Sequence, residues 1–231
     1  MITKKFKLRE IKTILFLVIV FINQCPSVGA ADSEVSLGYD SYYIDRGENV
    51  GSNLVWSDIN VTSSLSDSFD ISVGTWYANL TELEGTDELE FYSSLSTTLG
   101  KFSLAFISYY HYYPNDGENS IEFGMDVGTS AGPIDLNFGV YYDIDIETAY
   151  YELGVGTSLE LSDATLLDLG MTVGNVDGDT LTALTFTSEL PITLTDKVTL
   201  SPYVGLNIPL EDYEDTYVDN IFTGVSLKVG F

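Results

Sequence analysis

The chain of 231 residues carries 35 acidic against 9 basic side chains. Five of the basic ones (Lys4, Lys5, Lys7, Arg9, Lys12) and one acid (Glu10) stand in the first 12 positions, so residues 31–231 hold a formal charge near −30. Such a surface repels phosphate backbones, which excludes nucleic acid as a partner, and 45% apolar with 13% aromatic residues excludes a disordered chain.

Residues 1–30 read as an export signal: a basic stretch, an apolar run from Ile14 to Ile22, then a polar stretch ending Ser27-Val28-Gly29-Ala30. A run this short cannot cross a bilayer as a helix, which takes about 20 residues, and small Val28 and Ala30 suit cleavage before Ala31. Cys25 is the sole cysteine, and bulky Gln24 before it argues against lipidation. A chain starting at Ala31 has no thiol for disulfides, catalysis or zinc.

From Ser33 onward apolar and polar residues alternate with period two, the pattern of strands with one wet face. Twelve strands are expected, at about 34–44, 54–65, 69–79, 88–99, 102–113, 120–129, 134–143, 149–161, 165–175, 181–194, 198–210 and 220–231. No helical period interrupts them.

Alternation fits a soluble sandwich as well as a membrane barrel. Strand length separates them. These strands run to about 10–14 residues where soluble ones have about five or six, and ten tilted residues rise about 26 Å, the height of an outer-membrane apolar band. The connections alternate too. Tight turns such as Gly100-Lys101 and Thr195-Asp196-Lys197 follow the even strands, and mostly longer, acidic loops follow the odd ones. Tyrosine crowds the loop end, with Tyr42, Tyr43, Tyr109, Tyr110, Tyr112, Tyr113, Tyr141, Tyr142, Tyr150, Tyr151, Tyr213 and Tyr217 among the residues there, while Phe69, Phe102 and Phe231 mark the turn end. The expectation is two aromatic girdles around a single-domain, all-β, antiparallel up-and-down transmembrane barrel of about twelve strands over residues 31–231.

Charged residues fall on one face of these strands, the future lumen. The lumen-lining candidates are Asp40, Asp58, Glu90, Glu122, Asp126, Asp135, Glu152, Asp168 and Lys228. Glycines share that face (Gly74, Gly124, Gly128, Gly139, Gly154, Gly156, Gly170, Gly205), and a twelve-strand barrel is about 24 Å across at the backbone, so a narrow water path is expected between small wall residues. Its acids favour cations, with Glu122, Asp126, Asp135 and Glu152 the strongest contributors.

Pro202 falls inside the eleventh expected strand, where a closed barrel needs every N–H, so a bulge is expected there. Nothing suggests catalysis. His111, the only histidine, sits among tyrosines and reads as an interface residue, with no nucleophile or orienting partner picked out. Asp177-Gly178-Asp179 and Asn115-Asp116-Gly117-Glu118 are acidic turns that do not fit a full calcium loop. Arg46 reads as an ion-pair partner for nearby acids. No cofactor or metal site is expected.

The chain ends Val225, Leu227, Val229, Phe231 at alternate positions. It resembles a bacterial outer-membrane protein, in which such a terminal strand is read by the barrel-assembly machinery, with Phe231 as the assembly signal. Tyr39-Asp40-Ser41-Tyr42-Tyr43-Ile44-Asp45-Arg46-Gly47, Val73-Gly74-Thr75-Trp76-Tyr77-Ala78-Asn79 and Glu88-Leu89-Glu90-Phe91-Tyr92 are similar to segments of the TorF-type porin family. The resemblance implies a porin embedded in outer-membrane lipid and passing small solutes. Joined to the charge pattern, the expectation is a passive cation-preferring channel. The alternatives are a closed-lumen barrel acting as adhesin or structural protein, and a secreted carbohydrate-binding β-sandwich.

Overall fold

The computed structural model describes residues 31–82, 87–115, 119–211 and 220–231. The predicted signal at 1–30, Tyr213 and Tyr217, and Asp116, Gly117 and Glu118 of one acidic turn lie outside them.

Every element among the described residues is a strand: β1 (Asp32–Asp45), β2 (Glu48–Ser66), β3 (Phe69–Leu80), β4 (Glu88–Leu99), β5 (Phe102–Tyr112), β6 (Ser120–Ala131), β7 (Ile134–Asp143), β8 (Thr148–Ser162), β9 (Thr165–Val176), β10 (Thr180–Glu189), β11 (Ile192–Thr195), β12 (Val198–Pro209) and β13 (Asn220–Gly230). All pairings are antiparallel and, apart from β10 and β11, join sequence neighbours; β13 pairs with both β12 and β1, and the sheet closes on itself. The Phe231 N–H donates to the Ser33 carbonyl at 2.9 Å, the last link of that closure.

β10 and β11 share one place between β9 and β12, so the wall has twelve places with one of them split. Two prolines cause the split. The Leu190 N–H donates to the Pro202 carbonyl at 2.9 Å and the Leu166 N–H to the Pro191 carbonyl at 3.1 Å. In each pair the return bond would need a proline N–H, which does not exist. The register between β12 and its neighbours runs unshifted through Pro202, so the bulge expected there is absent. The closed wall instead tolerates two half-made pairs.

A second correction concerns the first connection. β2 begins at Glu48, not near residue 54, and the expected loop shrinks to Arg46-Gly47. Both residues have positive φ, 49° and 92°, as the two-residue hairpin turn that matches strand twist requires. Gly47 takes this freely, whereas Arg46 takes it at a cost of about 1–2 kcal/mol. The polar, glycine-containing stretch Glu48-Asn49-Val50-Gly51-Ser52-Asn53 lacks period-two alternation, which hid the strand. A register shift beside Tyr43 and Ile44 bends the hairpin.

The outer face is apolar, with Leu37, Ile59, Phe106, Phe123, Leu153 and Val204 among its exposed side chains. β2, β4, β6, β8 and β11 end in two-residue turns at 67–68, 100–101, 132–133, 163–164 and 196–197, and Phe69, Phe102 and Phe231 are exposed at that end. At the opposite rim the Tyr77 hydroxyl, with the Asn79 and Asn115 amides, holds Asp87 below the ordinary carboxylate range.

The tyrosine girdle needs revising. Adjacent strand residues face opposite sides, so the doublets Tyr109-Tyr110, Tyr141-Tyr142 and Tyr150-Tyr151 each send one ring out and one in. Tyr141 and Tyr150 bond luminal acids and Tyr109 stacks on His111 at 5.8 Å, whereas Tyr142 is exposed outside. The luminal glycines are revised with them. Tyr92 lies over Gly74, Tyr141 over Gly124 and Gly139, and Phe222 over Gly205. These four make room for rings, whereas Gly128, Gly154, Gly156 and Gly170 face smaller polar groups.

Candidate functional site

Near the rim the turn of the β1–β2 hairpin does not continue the wall upward but folds across the lumen. Its base rests on an apolar patch inside the barrel, where Leu54, Ala78 and Leu80 are buried against Tyr43, Trp56 and Trp76. Burying these side chains favours the inward fold over an extended hairpin in water. The tip docks between walls. Gly47 sits against Thr182 and Ala183 of β10, and its carbonyl accepts from the fully buried Asn207 amide of β12 at 2.9 Å.

Arg46 reaches furthest. Its Nη2 lies 2.6 Å from Glu122 Oε1 on β6, and its guanidinium lies 4.7 Å from the centre of the Tyr150 ring and 5.5 Å from that of Tyr141. Glu122 is 2% exposed. Burial works against the Arg46 charge, but the Glu122 carboxylate, with Asp45 beside it in the chain, more than offsets this and lifts the guanidinium above its ordinary pKa. An ion pair with one member so deeply buried is unlike a surface pair and much less screened by salt. The expectation of an ion-pair role for Arg46 holds, and its partner is across the barrel, not nearby in sequence.

Each of the other candidate acids has its own setting. Asp58 accepts from the Tyr92 hydroxyl at 2.6 Å and Asp126 from that of Tyr141 at 2.6 Å. Glu152 is 3.4 Å from the Tyr150 hydroxyl. Asp126 and Glu152 are brought together, since both pair with Gly139 of β7 in adjacent ladders. Asp135 is held apart near the turn end, bonded to Ser130 at 2.5 Å, and Lys228 pairs with Glu34 at 3.1 Å. Asp40 accepts from Trp56 Nε1 at 2.9 Å on Oδ2. Asp168 keeps a buried Oδ1 without a hydrogen-bond partner.

His111 faces the lumen, which corrects its reading as an interface residue. Its Nδ1 is 3.1 Å from Glu90 Oε1 and 3.7 Å from Glu88 Oε1, and Glu88 also accepts from Tyr113 at 2.6 Å and Tyr43 at 3.2 Å. Burial and the Glu88 carboxylate push the Tyr113 hydroxyl pKa up. Among the described residues Glu88, Glu90 and His111 are the group whose atoms lie close enough to hold a metal ion, but these atoms are already satisfied by one another. Sequence reasoning missed the cluster because it counted neighbours along the chain, whereas β4 and β5 place Glu90 directly opposite His111.

Below the hairpin lies a cavity of about 410 Å³, walled by β1–β3 on one side and by β8–β10, β12 and β13 on the other, with Ile44, Arg46 and Gly47 as its roof.

No family model and no curated protein matches the chain. The COG4313 outer membrane channel from Pseudomonas putida F1 superposes with a TM-score of 0.56 at 14% identity over 88% of this chain and 96% of that one. The NanC porin gives 0.55 at 9% identity, covering 85% and 98%, and the KdgM porin 0.53 at 9%, covering 86% and 98%. At these identities the likeness is one of fold. The chain has the twelve-place barrel fold of bacterial outer-membrane porins and channels.

Proposed function

We propose that the protein is a passive, cation-preferring channel for small solutes in the bacterial outer membrane, narrowed by its own β1–β2 hairpin, and that it carries no enzymatic activity. One observation supports the sign of selectivity above all. Of the basic residues beyond position 30, Arg46 is paired with Glu122 and Lys228 with Glu34, while Lys101 and Lys197 sit in turns at one end. Asp40, Asp58, Asp126, Glu152 and Asp168 therefore face the lumen without a basic partner among the described residues, and rings of such charge favour cations. Asp126 and Glu152, flanking Gly139, are the strongest pair. Glu122 contributes little, since Arg46 neutralises it, and Asp135 acts at the turn-end mouth. The apolar exterior supports contact with lipid, and Phe231, at the seam between β13 and β1, supports a role as the recognition element for the barrel-assembly machinery. The TorF-type resemblance agrees with this reading.

The inward hairpin favours one other reading, a barrel closed at rest. Recording from the purified barrel in a planar bilayer separates the two. Discrete current steps are expected, and a silent membrane holding folded, heat-modifiable protein would favour the closed barrel.

A further inference from the structure

We infer that the cavity beneath the hairpin is a binding site for a small organic cation of the quaternary ammonium class. Its volume, about 410 Å³, lies within the range of small-molecule sites, about 300–1,000 Å³. Its walls are aromatic: Tyr43 and Trp76, 5.8 Å apart, and Trp56 stand on one side, with Tyr203 and Phe222, 6.0 Å apart and edge to face, on the other. Asp40 lines the same space and is 9% exposed. Its Oδ2 is taken by Trp56, but no hydrogen bond of normal geometry reaches Oδ1, although the Tyr203 hydroxyl stands close to this carboxylate. Thr182, 1% exposed and also lining the cavity, has an Oγ1 with no partner.

A buried carboxylate oxygen lacking a donor is costly unless a positive group comes to it. Aromatic faces attract organic cations, which shed water easily. An anion would meet Asp40 and Glu152, both lining the cavity, and the one lining guanidinium, Arg46, is already paired with Glu122. A metal ion needs several oxygens gathered on it, and the group close enough for that among the described residues, Glu88, Glu90 and His111, lies outside this cavity. The barrel already holds one organic cation by this chemistry, since the Arg46 guanidinium lies over Tyr150 while paired to Glu122. A quaternary ammonium seated among Trp56, Trp76 and Tyr203 with its charge toward Asp40 repeats that arrangement with a free ligand. The inference names a solute class for the proposed channel, on which it rests only for how the cation arrives.

The chain contains two tryptophans, Trp56 and Trp76, and both line this cavity, so tryptophan emission, excited at wavelengths where tyrosine does not absorb, reports on it. The purified barrel in detergent is titrated with choline chloride against sodium chloride at constant ionic strength. A saturable change in tryptophan emission is expected, with no saturable change for 3,3-dimethylbutan-1-ol, the uncharged molecule of the same shape. Asp40→Asn weakens choline binding by at least about tenfold, as loss of a buried charge partner does. Asp70→Asn, at a carboxylate bonded to Ser64 outside the cavity, leaves it unchanged. If Asp40→Asn fails to give folded, heat-modifiable barrel, Glu152→Gln takes its place and should weaken choline binding by at least about threefold. A linear response to choline, an equal response to the uncharged analogue, or unchanged affinity in the folded variant overturns the site. Choline binding by a barrel that is silent in the bilayer would retain the site and reject the channel. A conducting barrel blind to choline would do the reverse.

Discussion

Replacing Arg46 by alanine is expected to raise single-channel conductance on the order of twofold, because the hairpin tip crosses a lumen only about 24 Å wide at the backbone. Two effects combine. The tip loses its pair with Glu122 and its stacking on Tyr150, and the positive φ of Arg46 no longer has contacts to compensate it. Glu122 is left at 2% exposure with no counter-charge. Removing one member of a fully buried pair costs about 3–5 kcal/mol, and here less, since Arg46 is 34% exposed. Adding Glu122→Gln removes the stranded charge, so the double variant should melt above Arg46→Ala alone while remaining more conductive than the parent. Bilayer recordings and thermal melts of the three barrels read both effects. Parent-like conductance in Arg46→Ala, with the hairpin still seated, would show that Arg46 does not hold the constriction.

The second large effect is on folding, and it separates two glycines that look alike in the sequence. A side chain at Gly74 would meet the Tyr92 ring, which the Asp58 carboxylate holds in place, and the Ile59 carbonyl at 2.7 Å. Backbone cannot rotate away as a side chain can, so the strands must part. At Gly156 the nearest atom is the Leu169 carbonyl at 3.4 Å, an ordinary contact. Gly74→Val is therefore expected to lose most of its folded, heat-modifiable band, by overpacking of about 3 kcal/mol or more, whereas Gly156→Val folds nearly as the parent. The ratio of heat-modifiable to unfolded band on a gel measures it, and equal bands for the two variants would contradict the ring-over-glycine packing.

The contrast between these glycines shows where the sequence was readable and where it was not. Strand alternation depends on residues two apart, so the bounds of β3, β4 and β7 match the expected ones to within a residue. The lumen depends on which strands lie opposite one another, and that is a property of closure. Arg46 and Glu122 are 76 positions apart, and Asn207 meets Gly47 from 160 positions away. One signal was nevertheless available. Leu54, Trp56, Trp76, Ala78 and Leu80 occupy the inward parity of two neighbouring strands near the loop end, where water-facing residues were expected. An apolar patch inside a polar lumen needs a cover, and the hairpin provides it. Pro202 was visible as a misfit, but its accommodation could not be read without knowing that Pro191 falls almost opposite it beside β12.

The acidic lumen with its spent basic residues is tested most directly by the reversal potential of the unmodified barrel in a potassium chloride gradient. The potential should have the sign of potassium selectivity and should shrink as total salt is raised, because counter-ions screen Asp126, Glu152 and their neighbours. A potential of the opposite sign, or one that stays at zero at low salt, would contradict the account.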